Sequence, residues 1–363
     1  MLYSEYNPQN NSVLPNFYGL IYSEVEDYLL QHSFSKYVVI QLFNWVYKKQ
    51  LREHDKWSNI SKKLRVQLKI DFDFSLPQII ETRHSCDGTI KFLLQMKDNE
   101  KVEAVLIPSE DRLTLCISTQ VGCAMRCTFC FTGTKGFIRN LKCHEIVGEY
   151  LAINEWYNQY AQETGRLPGG PTQTLITNIV YMGQGEPLNN FQEVKRATLL
   201  LLDPQGIAFG QRKITLSTVG IIPMLLKMGE FPPINIAISL HSPRDHVRDQ
   251  LIPINRTFPL AQLFAAIEKI PLKAHRRITY EYLLIEGLTN TAEDLVALKK
   301  LISPERSKIN LIPYNEFPGA TYKRPTDEKV LQFCNQLGEM GYTCTVRRSK
   351  GSDILAACGQ LRG

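Results

Sequence analysis

No stretch of this 363-residue chain has the roughly 18 consecutive uncharged apolar residues that a membrane-spanning helix needs, which argues against a helical membrane protein. The N-terminal MLYSEYNPQNNSVLPNFYG lacks a cationic start followed by an apolar core, so no export leader is read there and the expected compartment is the cytoplasm. Internal repeats and low-complexity tracts are also missing, and the clearest loop insertion is QETGRLPGGPTQ at 162–173. Charge of one sign is not strongly in excess. With 42 Lys and Arg against 36 Asp and Glu the net charge is +6, which permits a nucleic-acid partner without requiring one. The nine cysteines are odd in number and grouped, so they do not read as a disulfide framework, and metal or redox chemistry is the better expectation. What is plentiful is apolar sequence, 44% hydrophobic, enough for a large core.

Charge is unevenly placed. Between Lys36 and Lys69 stand nine basic residues and two acidic ones, Glu53 and Asp55. The segment has apolar residues at helical spacing, with Ser61 as N-cap of a second basic helix. Such a module suits RNA phosphates, although a solvated helical face has the same composition. From residues 76–82 the pattern turns to β-type alternation, with a turn at Asn99–Glu100. The expected division is a helical RNA-binding accessory domain at 1–80, a β-rich linker at 81–108, a core domain at 109–348 and a C-terminal segment at 349–363.

After Arg112, seven β-branched runs (RLTLCIST, ITNIVYMG, RKITLSTVG, INIAISLH, RITYEYLLI, KINLIPYN and YTCTVRR) alternate with helical stretches near 143–160, 189–202, 221–229, 259–269, 291–302 and 326–340. Strands apolar on both faces and joined by helical crossovers predict a parallel sheet covered by helices. The expected fold is α/β, a partial (β/α)6 barrel with six units and one closing strand. Barrels of this kind gather their chemistry at the C-terminal strand ends. Those ends are polar or glycine-rich here, as in MGQGEP, LSTVG, SLHSP and NLIPYN.

Four cysteines fall within LCISTQVGCAMRCTFCFTG. Cys123, Cys127 and Cys130 have C-x3-C-x2-C spacing, while Cys116 stands inside the preceding apolar run. A structural zinc ion would need a fourth ligand, for which Cys116 or Cys143 is available. An iron–sulfur cluster on three thiolates leaves one iron open to a substrate or cofactor. Three cysteines on the first βα loop of a parallel barrel resemble the radical-SAM superfamily, in which S-adenosylmethionine (SAM) binds that iron and is cleaved to a 5′-deoxyadenosyl radical.

The resemblance extends further. LCISTQVGCAMRCTFCFTGTKGFIRNL, TNIVYMGQGEPLNN, ITLSTVGIIP, SLHSPRDHVRDQLIPIN, INLIPYN and GSDILAACGQL together are similar to the RlmN/Cfr family of radical-SAM RNA methyltransferases, and QLFNWVYKKQ and NISKKLRVQL resemble its helical accessory domain. Pro187 in GEP is similar to the RlmN branch, since the Cfr branch has alanine there. The resemblance implies methylation of carbon 2 of an adenosine in 23S rRNA and of the adenosine beside the anticodon of certain tRNAs. It also implies one [4Fe-4S] cluster on Cys123, Cys127 and Cys130, two SAM per turnover, a reductant such as flavodoxin or ferredoxin, and a monomer. Cys358 would carry the methyl group as S-methylcysteine and then join the base through its carbon. Cys116 would help remove the carbon-2 proton and release the adduct by forming a disulfide with Cys358. Glu103 would accept a proton or position the base. Gly185, Glu186, Ser217, Ser239, Leu240, His241 and Asn315 would surround SAM.

Phe131 stands where the family has a small residue, Gln184 where methionine is common, and GLTNT at 287–291 where GVND is usual. Cys86, Cys143, Cys334 and Cys344 match no catalytic motif and are expected to pack in the interior. Two other readings stay open: methylation at carbon 8, and an RNA-binding protein with a structural metal site and no turnover.

Overall fold

The computed structural model describes residues 14–109, 112–164, 176–273 and 275–362. An N-terminal bundle holds α1 (Tyr22–Gln31), α2 (Val38–Phe43), which runs on into a π-turn at Asn44–Lys48, and α3 (Lys62–Asp71). The Ser61 hydroxyl accepts from the Leu64 amide, the N-cap expected of it. Aromatic rings fill the bundle, with Phe17 stacked on Phe74 and edge-on to Phe72. The bundle is tied to the rest of the molecule by a bidentate Arg196–Glu24 pair.

Three antiparallel strands follow, β1 (Gln78–His84), β2 (Ile90–Gln95) and β3 (Lys101–Ser109). Between β2 and β3, Asn99 takes the left-handed conformation in the expected turn. Then come β4 (Arg112–Ile117), the short pair β5 (Gln120–Gly122) and β6 (Phe137–Asn140) with α4 (Phe131–Lys135) between them, and the long α5 (Cys143–Thr164). The remaining units are β7 (Asn178–Tyr181), α6 (Phe191–Leu202), β8 (Ile214–Thr218), α7 (Ile222–Leu225), β9 (Asn235–Ser239), α8 (Asp245–Leu251) and α9 (Leu260–Ile267). Last are β10 (Ile278–Leu284), α10 (Ala292–Leu301), β11 (Ser307–Pro313), α11 (Asp327–Glu339) and β12 (Thr343–Val346). The insertion expected at 162–173 begins on the last residues of α5, and the rest of it lies outside the described residues.

Among the described residues one ten-stranded sheet runs β1-β2-β3-β4-β7-β8-β9-β10-β11-β12. From β4 onward every neighbour is parallel, giving the partial barrel of six β/α units and a closing strand. The barrel is open, because β4 pairs on its outer side with antiparallel β3. Strands β1 to β3 therefore extend the barrel sheet itself. Register sets Lys91 opposite Val105, Val105 opposite Cys116, and Cys116 opposite Val180, so one row of side chains crosses four strands on the same face. The C-terminal segment covers this row, with Ala356 and Leu361 packed against Val105 and Cys116. Among the described residues no helix is long and apolar enough to cross a membrane.

Candidate active site

The cysteine loop leaves β5 at Gly122 and is fixed by its own backbone. Cys123 donates to the Gly136 carbonyl at 2.8 Å, Cys130 to Cys127 at 3.1 Å and Gly133 to Cys130 at 3.0 Å. Gly133 is a packing requirement, since a Cβ there would lie 2.9 Å from the Cys127 carbonyl oxygen. Thr128, which the sequence left without a role, ties the loop to α8 and to the Tyr322 hydroxyl at 2.8 Å. The three thiols are half-buried and line one cavity with Met125, Phe129, Leu283 and Ile312. Burial pushes all three up, Cys123 to about 12. Among the described residues no three His, Cys, Asp or Glu side chains close around a single-ion site. The three ligands that the loop itself offers are nonetheless all sulfur, set beside Met125, Phe129, Leu283 and Ile312, and they suit an iron–sulfur cluster better than a hard cation.

The cavity measures about 910 Å³ with its open mouth, and its wall comes from the C-terminal ends of the parallel strands. Gly185, Glu186, Ser217, Ser239 and His241 all lie on it. Gly185 has φ of 97°, and a Cβ there would stand 2.8 Å from the Gln120 amide nitrogen. The Glu186 carboxylate is turned to its own loops, accepting from Leu188 N at 2.9 Å, Thr218 Oγ1 at 2.7 Å and Val219 N at 2.9 Å. Burial raises its pKa to about 6 against these bonds. Ser217 and Ser239 bring their hydroxyls within 3.3 Å. Burial draws His241 down to about 3, so the ring is neutral. Its Nδ1 accepts from the Leu283 amide at 3.2 Å, which assigns the proton to Nε2.

Two of the expected SAM residues stand elsewhere. Leu240 is fully buried in the main hydrophobic core and acts through its backbone, accepting from Arg248 Nε at 3.1 Å. Asn315 holds the C-terminal segment, donating to the Cys358 carbonyl at 3.1 Å and accepting from Ser349 at 2.5 Å.

Cys358 lines the cavity beside the three loop cysteines. Cys116 lies beneath the same segment, 5% exposed, and burial, with Cys358 adding to it, pushes its thiol up to about 12. Cys116 feels both Cys358 and Arg347, and the Arg347 pKa is itself raised, first by Cys358 and then by Glu281 and Cys116. Glu103 is not on an exposed edge. It is 7% exposed, paired to Lys91 Nζ at 3.0 Å and accepting from the Arg362 amide at 2.5 Å. Phe131 is stacked on Phe317, with centroids 5.0 Å apart, and lies under the Arg362 guanidinium.

Sequence reading missed Arg347, Glu281 and Arg248. Glu281 carried a usable signal, an acid inside the apolar run TYEYLL, and Arg347 follows the closing strand. Arg248 lies within SLHSPRDHVRDQLIPIN, where no local signal sets it apart from the other basic residues. The expectation for the other cysteines needs correction at Cys86, which is exposed on the β1–β2 turn because the chain reverses there. Cys143 is buried as expected, and the half-buried Cys334 and Cys344 place their sulfurs 3.2 Å apart.

A radical SAM methyltransferase from Sphaerobacter thermophilus has the same architecture, with a TM-score of 0.85 and 36% identity over 96% of this chain and 99% of that one. Together with three cysteines on the first barrel loop and a cavity at the strand ends, this makes the protein a radical-SAM methyltransferase. Residues 15–72 match the ribosomal RNA large subunit methyltransferase N-terminal domain. A dual-specificity RNA methyltransferase RlmN from Rhodospirillum rubrum is 40% identical over 356 residues, 98% of this chain and 82% of that protein. Another from Syntrophobacter fumaroxidans is 41% identical over 321 residues, 88% and 90%. The chain belongs to the RlmN family.

Proposed function

We infer that this enzyme methylates carbon 2 of an adenosine in 23S rRNA, and of the adenosine 3′ of the anticodon in some tRNAs. The relatives named as dual-specificity RNA methyltransferases support the two substrates. Carbon 2 of adenine is electron-poor and has no lone pair, so it cannot take a methyl group from SAM by direct displacement. The observation that carries the reading is the meeting of Cys358, from the end of the chain, with the three loop cysteines in one cavity and with Cys116 directly beneath.

Cys123, Cys127 and Cys130 would hold a [4Fe-4S] cluster, which with SAM supplies a one-electron cleavage that yields a hydrogen-abstracting radical. Cys358 takes the methyl group of a first SAM on its sulfur as S-adenosylhomocysteine leaves, with Arg347 on the same cavity wall. After loss of one hydrogen atom, the carbon on Cys358 joins the adenine ring, the adduct gives up one electron, for which the oxidised cluster would be the acceptor, and protein and RNA are covalently linked. Cys116 then assists loss of the carbon-2 proton and attacks the Cys358 sulfur; the sulfur–carbon bond breaks, the carbon left on adenine takes up a proton to become the methyl group, and the resulting disulfide must be opened by a reductant. Ser217, Ser239 and the neutral His241 offer hydroxyl and imidazole groups to SAM. Glu186 shapes the cavity by pinning the loops after β7 and β8. The enzyme would work as a cytoplasmic monomer with a flavodoxin or ferredoxin as electron donor, its helical N-terminal domain binding RNA.

Labelled RNA on a denaturing gel tests the division of labour. Cys116→Ala should accumulate a retarded protein–RNA band, and Cys358→Ala should give neither band nor methylated RNA. Methylated RNA from Cys358→Ala would overturn the carrier role. Mass spectrometry of the modified adenosine separates carbon 2 from carbon 8, and RNA that binds but is never methylated would point to the non-catalytic reading.

A further inference from the structure

A lysine and a glutamate buried side by side on a sheet are costly, and a well-packed apolar pair would hold the strands at least as well. Lys91 and Glu103 are 6% and 7% exposed, and register sets them diagonally across β2 and β3. What they touch is the C-terminal segment. Lys91 Nζ donates to the Leu355 carbonyl at 3.2 Å, while Glu103 accepts from the Arg362 amide at 2.5 Å. Leu355 is a non-glycine residue at φ 54°, a conformation that persists only where its surroundings impose it. Cys358 lies between these two anchors.

We propose that the Lys91–Glu103 pair is the seat of this segment, positioning the Cys358 sulfur in the cavity by gripping the chain on either side of it. The inference rests on Cys358 being the methyl carrier. The β1–β2 turn completes the seat: Asp87 accepts from the Gly351 amide at 2.9 Å, and Ser85 donates to Asp353 at 2.6 Å. On the opposite side the cysteine loop holds the same segment, through Phe131 N to Gly359 O at 2.7 Å and Thr132 Oγ1 to Leu361 O at 2.7 Å. The antiparallel extension and the cysteine loop thus form two jaws, and Cys358 is carried between them. Both Glu103 oxygens are engaged in this arrangement, one by Lys91 and one by the segment. Glu103 is thereby a positioning residue.

The test uses the full-length, cluster-reconstituted enzyme in two variants. Lys91→Met combined with Glu103→Leu removes both charges together and leaves neither buried alone. Arg362→Pro deletes the amide donor without touching the sheet, and Arg362→Ala, which keeps that donor, is its control. Both test variants should raise amide hydrogen exchange across 354–362 at least tenfold and slow RNA methylation at least tenfold, while Arg362→Pro should leave SAM cleavage without RNA and the melting temperature near wild type. Arg362→Ala should leave exchange near wild type. Unchanged exchange across 354–362 in Arg362→Pro overturns the seat, whether or not the double variant folds. If wild-type Cys358 carries no methyl group by mass spectrometry, the carrier role fails instead, and exchange still decides the seat.

Discussion

Arg248 shows how much one side chain can organise at the strand ends. Its guanidinium is 1% exposed and donates to the Val219 carbonyl at 2.8 Å, Ser239 at 3.2 Å, Leu240 at 3.1 Å and Asn255 Oδ1 at 2.6 Å. Burial lowers its pKa to about 10, which still leaves it charged at neutral pH. The three carbonyls lie at the C-terminal ends of β8 and β9, which present Ser217, Ser239 and His241 to the cavity, while Asn255 lies just beyond α8. Lysine has the charge but not the planar fork. Arg248→Lys should therefore fail to substitute, and Arg248→Met should cost about 3 kcal/mol of unfolding free energy, because several buried carbonyls lose a charged donor. Denaturant titration measures the loss, and calorimetric SAM binding should weaken in both variants. A lysine variant with wild-type stability and affinity would show that charge alone suffices.

Among the elements, the N-terminal helices carry a basic face whose residues are not equivalent. Arg65 is half-buried and donates to the carbonyls of His54 and Asp55, so it belongs to the bundle more than to a partner. Arg52 is paired with Glu155 and Lys69 with Asp55. Lys48, Lys49, Lys62 and Lys63 are exposed, with Lys49 lying 3.6 Å over the Trp45 ring. These four lysines are the candidates for phosphate contact. Reversing their charge should weaken RNA binding and reduce the slope of log K against log salt by about 3, at somewhat under one unit per lost contact. RNA-independent SAM cleavage should survive, because it takes place in the barrel. Filter binding across a salt series decides, and an unchanged slope would make this face ordinary solvated surface.

At the scale of the molecule, a continuous apolar core links the N-terminal bundle to the barrel, and it encloses an imidazole that folding keeps neutral. His54 is buried against Trp57 and Phe74, and burial, aided by Lys69, lowers its pKa from 6.5 to about 4. Between those values the unfolded chain binds a proton that the folded chain does not. Stability from this group is complete above pH 6.5 and falls as pH drops toward 4, by about 1.4 kcal/mol per pH unit where the difference is a whole proton. His54→Phe should flatten the pH dependence of unfolding by about that slope over the same window. Parallel curves for the two proteins would show that His54 titrates alike in both states.

The seven apolar runs, the helical stretches between them and the three-cysteine loop follow from residue pattern alone, because period and spacing are local properties of a chain. The Ser61 cap and the Asn99 turn were legible for the same reason. The resemblance to a known family marked Cys116, Cys358 and Glu103, through their motifs. Local pattern could not say that β1 to β3 join the barrel sheet, since the pairing of β3 with β4 is a contact between strands. Nor could it set Lys91, Val105, Cys116 and Val180 in one row, which register across four strands decides. Asn315 and Glu103 meet the C-terminal segment, and Arg347 shares a cavity wall with Cys358, only once the chain end has folded back across the open barrel. Sequence determined which residues could carry the chemistry. Tertiary structure decided which of them face one another, because burial and long-range pairing bring together groups that no local spacing relates.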